Sequence, residues 1–250
     1  MTCLVALAGK GGTGKTTTAG MLIKYLVEKG LSPVLAVDAD ANANLNEVLG
    51  LVVEETLGDA REKMKGGASA GMTKDIYMEM KIQQAVVEAE NFDLVVMGRP
   101  EGAGCYCAAN TLLTQYLEKL IDNYNYIVID NEAGMEHLSR LTTKNIDILL
   151  VVSDPSRRGL QAASRIMELS GVLPLNIGEK VVIVNRVKSG QEESIRKILN
   201  EYRLEMVGMV PEDPQVAEFD LEGKPTIELK KESTAIEAAY AIFDKILQDR

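Results

Sequence analysis

Residues 9–16 read Gly-Lys-Gly-Gly-Thr-Gly-Lys-Thr, a spacing of small residues and cations suited to cradling a polyphosphate. Glycines at 9, 11, 12 and 14 permit tight turns that aim successive backbone N–H groups at phosphate oxygens. The helix that follows adds the positive end of its dipole. Gly11, Gly12, Thr13, Gly14, Lys15, Thr16 and Thr17 are therefore the expected nucleotide contacts. Lys15 would neutralise the β and γ phosphates of ATP, and the Thr16 hydroxyl would be offered to Mg2+. Lys10 stands five positions before Lys15, where a second cation adds little to the same triphosphate. It is either a solvated surface lysine or a residue that crosses a face-to-face dimer to supply charge in trans, as an arginine finger does.

Other chemistry-bearing residues leave apolar runs that read as strands. Asp38 and Asp40 follow the second run; a carboxylate there can hold a Mg2+-bound water or orient the attacking water, although acidic residues also start helices for capping reasons. Asp130 ends Tyr126-Ile-Val-Ile and suits a second Mg2+-shell carboxylate, with Gly134 as a hinge responsive to the γ-phosphate. His137, the sole histidine, reads as an interface or hydrogen-bonding residue rather than a metal ligand.

Cys105-Tyr106-Cys107 lies on a connection with glycines at 102 and 104, ahead of an amphipathic segment carrying Leu112, Leu113, Tyr116, Leu117 and Leu120. A closed soft-metal site usually needs four ligands, so one chain supplies half a set. Two copies about a dimer axis would supply four thiolates, a set for square-planar Ni(II) or tetrahedral Zn(II). Two incidental cysteines, or a strained redox dithiol, are the competing readings. Cys3 should sit at the opposite rim as a structural thiol.

The elements that must position these groups alternate regularly. Apolar runs at Leu4–Ala8, Val34–Val37, Leu94–Met97, Tyr126–Ile129, Ile148–Val152, Val181–Val184 and Met206–Val210 are separated by segments of helical periodicity. That pattern predicts an α/β fold: a mostly parallel twisted sheet with helices on both faces and ligands outside the carboxyl ends of its strands. Residues 1–250 read as one domain. Residues 65–72 form the expected mobile loop, and 73–89 the expected helix-like segment after it. Met72, Met78 and Met80 read as packing residues, not thioether ligands.

A net charge of −10 argues against sequence-independent nucleic-acid binding and against docking on an anionic membrane. No apolar run approaches the ~18 residues of a membrane span, and no cleavage-site pattern follows the first strand. With three cysteines that make no disulfide framework, the expected location is cytoplasmic.

The loop Lys-Gly-Gly-Thr-Gly-Lys-Thr-Thr resembles the deviant phosphate loop of the ParA, MinD and nitrogenase iron protein group of dimerising ATPases. That resemblance implies a nucleotide switch in which Asp38-Ala-Asp40 is the first switch and Asp40 is catalytic beside Lys10 and Lys15; many relatives have proline where this chain has Ala41. It also implies that Asn185 and Arg186, after Val181-Val-Ile-Val, meet the adenine base, and that Met209-Val-Pro211-Glu-Asp-Pro214 is the second base-flanking loop, with Pro211 and Glu212 as its contacts.

Together with Gly98-Arg-Pro-Glu-Gly-Ala-Gly-Cys-Tyr-Cys107 and Asp130-Asn-Glu-Ala-Gly-Met-Glu-His137, the chain resembles CooC-type ATPases, including their AcsF-like branch, almost end to end. Membership implies a homodimer that delivers nickel to carbon monoxide dehydrogenase or acetyl-CoA synthase through Cys105 and Cys107. A MinD- or ParA-like spatial switch is a competing class, but the final helix, residues 233–250, lacks a basic face. An iron–sulfur carrier or reductase is another. It would call for a second cysteine near Asp130, where Asn131, Glu132 and Ala133 stand, or for Cys-x-x-Cys spacing.

Overall fold

The computed structural model describes residues 2–42, 44–65, 74–98, 114, 121–134 and 145–248. The strands are β1 (Cys3–Ala8), β2 (Val34–Ala39), β3 (Val86–Glu88), β4 (Phe92–Val96), β5 (Tyr126–Asn131), β6 (Asn145–Ser153), β7 (Asn176–Val187) and β8 (Met206–Pro211). They form one sheet in the order β3-β4-β2-β5-β1-β6-β7-β8. Every pairing is parallel except β3 with β4. The consecutive strands β5 and β6 flank β1 on opposite sides, so the winding reverses around β1. The crevice beyond its carboxyl end is where such a sheet receives a ligand.

The helices are α1 (Lys15–Glu28), α2 (Leu45–Leu49), α3 (Leu57–Lys65), α4 (Lys74–Gln84), α5 (Arg157–Val172), α6 (Glu192–Glu201), α7 (Pro214–Glu222) and α8 (Thr234–Leu247). Val5 and Leu7 of β1 join a core with α1 and α8, whereas Leu4, Ala6 and Ala8 join a core with α5 and α6. Both faces of the strand are thus buried. This is why the strands read as continuous apolar runs instead of alternating ones. Among the described residues, no helix is long and apolar enough to cross a membrane.

The expected helix over 73–89 is shorter in the structure. It ends at Gln84, and Val86–Glu88 turns back as a strand antiparallel to β4, pairing Val86 with Val95 and Glu88 with Asp93. Two adjacent β-branched residues favour that extended edge, and Ala89 N–H closes the hairpin on the Phe92 carbonyl at 3.0 Å. The stretch expected to be mobile lies outside the described residues from 66 onward. Met72 also lies outside them, and Met80 is half-buried on α4.

Helix α8 lies close against β8, and the approach depends on Gly208. A Cβ there would run into the Ile242 side chain of α8. Gly208→Ala should therefore cost about 1–3 kcal/mol through overpacking. Urea denaturation should show a lower midpoint with little change in slope.

Candidate nucleotide site

The phosphate loop leaves β1 at Gly9, where a Cβ would run into the Val152 carbonyl of β6. Only glycine lets the chain pass there. Gly12 and Gly14 adopt φ of 74° and 90°, left-handed values that favour glycine. The loop is tied internally: Thr13 Oγ1 donates to the Lys10 carbonyl at 2.9 Å, and Lys15 Nζ makes a long contact of 3.5 Å with the same oxygen. The Lys10 backbone is thus a hub of the loop, while its side chain is exposed at the rim.

Lys15 is only 8% exposed. Burial pushes its pKa down, opposed by the carboxylates of Asp130, Asp40 and Glu132. An ammonium held by one long contact, with negative charge around it, is poised for phosphate oxygens.

The carboxylates come from neighbouring strands. Asp38 of β2 pairs directly with Asp130 of β5, and Leu7 of β1 lies opposite Asp130 on the other side. Burial pushes the Asp38 pKa up to about 6, with its backbone hydrogen bonds opposing. Its two oxygens serve the loop that follows, accepting from Asp40 N at 3.0 Å and Leu45 N at 2.9 Å. Asp38 therefore shapes the switch turn, and Asp40 projects from that turn, half-buried. Asp40 Oδ1 accepts from the backbone and side chain of Asn42 at 2.8 and 3.1 Å.

Asp130 is 2% exposed, and burial pushes its pKa up to about 7; the hydrogen bond from Thr16 and the charge of Lys15 pull the other way. Its Oδ1 is buried with no hydrogen-bond partner. An orphaned carboxylate oxygen beside the Thr16 hydroxyl is a hard-oxygen donor set, and it fits Mg2+. Next along the chain, Asn131 Nδ2 donates to the Leu7 carbonyl at 2.8 Å, and a Cβ on Gly11 would touch Ala133 at 3.5 Å. The tip of β5 rests against the phosphate loop, with Gly134 at φ 119°.

On the other side of the loop, a cleft of about 800 Å³ is lined by Gly14, Thr17, Asn185, Arg186, Pro211 and Glu212, with Glu47 and Val48 of α2 and Val216 and Asp220 of α7. The structure thus brings the predicted base-side residues to the end of the phosphate loop. It also gives the first pair a task at the loop itself. Asn185 Nδ2 donates to the Thr13 carbonyl at 3.1 Å, its Oδ1 accepts from Arg186 N at 2.9 Å, and the Arg186 guanidinium donates to the Gly12 carbonyl. Arg186 holds a left-handed φ of 55° to do so.

Asp213, within the expected base-flanking loop, has a structural role that the loop motif does not announce. It is 6% exposed at the cleft and accepts hydrogen bonds from both α7 and α8. Its signal was present as Asp-Pro at a helix start, and again as Ser233 capping α8. Cys105, Cys107 and His137 lie outside the described residues. Cys3 is buried in the core at the start of β1, at the rim opposite the phosphate loop. Among the described residues, no group of three or more His, Cys, Asp or Glu is placed to hold a metal ion.

The Asp130 environment fixes a pH dependence. A carboxyl whose folded pKa, about 7, exceeds its unfolded value near 3.9 favours folding below pH ~4 and loses that contribution as pH rises through 7. Asp130→Asn should equal wild type in stability near pH 4 and exceed it by several kcal/mol, roughly 4 at most, above pH 7, measured without nucleotide or Mg2+. The same variant should lose about 10- to 100-fold in Mg2+-dependent ATP hydrolysis.

Comparison with known proteins agrees with this geometry. The family described as the CobQ/CobB/MinD/ParA nucleotide binding domain matches residues 4–227. An uncharacterized ATP-binding protein of Methanocaldococcus jannaschii is 42% identical over 252 residues, covering 99% of each chain. The carbon monoxide dehydrogenase accessory protein CooC of Rhodospirillum rubrum is 28% identical over 261 residues, covering 98% of this chain and 96% of that protein. Among solved structures, the septum site-determining protein MinD of Pyrococcus horikoshii, complexed with Mg-ADP, superimposes with a TM-score of 0.73 at 26% identity, covering 98% of this chain and 96% of that one. With its phosphate loop, buried acids and base-side cleft at one crevice, the chain is an ATP-binding ATPase of the CobQ/CobB/MinD/ParA nucleotide-binding family.

Proposed function

We propose that this ATPase is a nickel metallochaperone acting as a homodimer in the cytoplasm, which matures carbon monoxide dehydrogenase or acetyl-CoA synthase. The observation that carries this reading is the coexistence of the deviant phosphate loop with Cys105-Tyr-Cys107 in a chain that aligns with a carbon monoxide dehydrogenase accessory protein over 98% of its length. Nickel is cargo in this scheme, held by two copies of Cys105 and Cys107 across the dimer axis, with Zn2+ as the competing ion. Thr16 and Asp130 would hold the Mg2+, which would neutralise charge on the β and γ phosphates. Lys15 takes the same phosphates in cis. Lys10, exposed at the rim, reaches those of the partner, and Asp40 orients the attacking water.

The switch follows from contacts at the loop. Residues 131–134, beyond which the chain runs into 135–144, pass beside the phosphate loop, where a Cβ on Gly11 would lie 3.5 Å from Ala133; a γ-phosphate held by Lys15, and by Asp130 through Mg2+, would act on that segment. ATP closes the dimer and assembles the four thiolates; hydrolysis relaxes the switches and changes the affinity for nickel.

MinD-like spatial switching is the competing reading, supported by the structural likeness to MinD. One observation weighs against its membrane-attached form. Ile236, Ile242, Phe243, Ile246 and Leu247 of α8 are all buried in the core beside α1, so the apolar face of that helix is already occupied.

Two experiments test the proposal. Anaerobic equilibrium dialysis should find about one Ni(II) per dimer, coupled to ATP or ADP and lost in Cys105→Ala/Cys107→Ala. Nickel binding independent of these cysteines would defeat it, and visible absorption after iron and sulfide reconstitution would point to a cluster carrier instead. Lys10→Ala and Lys15→Ala should each be inactive alone yet regain hydrolysis when mixed, because the mixed dimer holds one intact Lys15 site facing one intact Lys10. No recovery on mixing would place Lys10 outside the partner's site.

A further inference from the structure

We propose that Asp213 is the positioning residue for the base side of the nucleotide cleft, setting affinity for the nucleoside portion of ATP and not for its phosphates. The inference rests on the cleft and is independent of the nickel reading.

The turn that follows β8 presents Pro211 and Glu212 to the cleft from the end of an edge strand, where one neighbouring strand alone holds it. Asp213 supplies the missing support. Its Oδ1 accepts from Gln215 N at 2.8 Å, capping α7. Its Oδ2 accepts from Ser233 Oγ at 2.7 Å, Thr234 Oγ1 at 3.0 Å and Ala235 N at 3.0 Å, all at the start of α8. One carboxylate therefore joins two helix N-termini, where negative charge is favoured. Burial alone would raise its pKa; these donors outweigh that and hold it down to about 2. It stays ionised throughout the working range, as a permanent clamp.

The clamp reaches the phosphate end through α8. Tyr25 of α1 donates to Asp244 of α8 at 2.7 Å and meets the Phe243 ring edge-on at 5.6 Å. Since α1 begins at Lys15, Asp213 fixes the base-side turn relative to the helix that carries the phosphate loop. Helix α7, which also lines the cleft, has no fully buried residue; Val216 and Phe219 pack partly against the core, and Asp213 caps its first turn. Charged hydrogen bonds of this kind are worth enough that losing them should loosen the turn while leaving the phosphate loop, held by β1 and β6, in place.

The test is Mg2+-ATP binding by the full chain, set against binding of inorganic tripolyphosphate, which lacks the nucleoside. Asp213→Asn should weaken ATP by about tenfold or more and leave tripolyphosphate within about twofold. Equal losses for both ligands would reveal general destabilisation and overturn the proposal, as would unchanged ATP binding. Should Asp213→Asn fail to fold, Ser233→Ala removes one donor and is read by the same ratio, with a smaller ATP-selective loss expected. An unselective loss, or none, overturns the proposal there too.

Discussion

Two carboxylates buried side by side on adjacent parallel strands, one of them interacting with a buried ammonium, govern the design of this site. Asp38 and Asp130 are in register on β2 and β5, and each is pushed toward neutrality by burial. Lys15 is desolvated beside them. Such an arrangement costs stability unless polar partners or a ligand complete it. Asp38 is completed by the backbone of its own switch turn, whereas Asp130 keeps one oxygen unsatisfied. The unsatisfied oxygen lies next to Thr16, so the site is electrostatically ready for Mg2+ and phosphate. The rest of the fold holds these groups against their own repulsion.

That holding is asymmetric. On the phosphate side the support is the centre of the sheet, where β1 lies between β5 and β6 and glycine is required by the approach of Val152. Movement there is expensive because both faces of the strands are packed. The base side is built at the sheet margin from β7, β8 and α7, and polar links through Asn185, Arg186 and Asp213 fix it. The crevice thus has a rigid half and a hydrogen-bonded half. Ala133, just beyond β5, lies beside the phosphate loop of the rigid half.

The seven apolar runs located seven of the strands because the inner strands are buried on both faces and read as continuous apolar runs, and β8, though half-buried at the edge, keeps an apolar run of its own. The remaining strand, Val86–Glu88, is three residues long and half exposed, so its pairing with β4 decides its conformation and local pattern does not. The phosphate loop was legible because glycine, lysine and threonine are required by its chemistry at fixed spacing. The acids were legible as positions but not as roles. Asp38 and Asp130 stand opposite each other in register, and what separates them is the fold of the turn after β2, which brings the N–H groups of Asp40 and Leu45 back onto Asp38 and leaves Asp130 Oδ1 without a partner. The capping role of Asp213 was legible from Asp-Pro, but its link to α8 was not, since those partners, Ser233 to Ala235, lie some twenty residues away along the chain.

The central claim is that nucleotide, dimerisation and nickel form one linked equilibrium. Linkage demands reciprocity: if ATP strengthens nickel binding at the dimer axis, nickel must strengthen the ATP-bound dimer by the same factor. Sedimentation of a hydrolysis-impaired Asp40→Ala protein with ATP, with and without Ni(II), measures that factor directly. The account predicts a tighter dimer with nickel, and no effect of nickel once Cys105 and Cys107 are replaced. A dimerisation constant indifferent to nickel would contradict it.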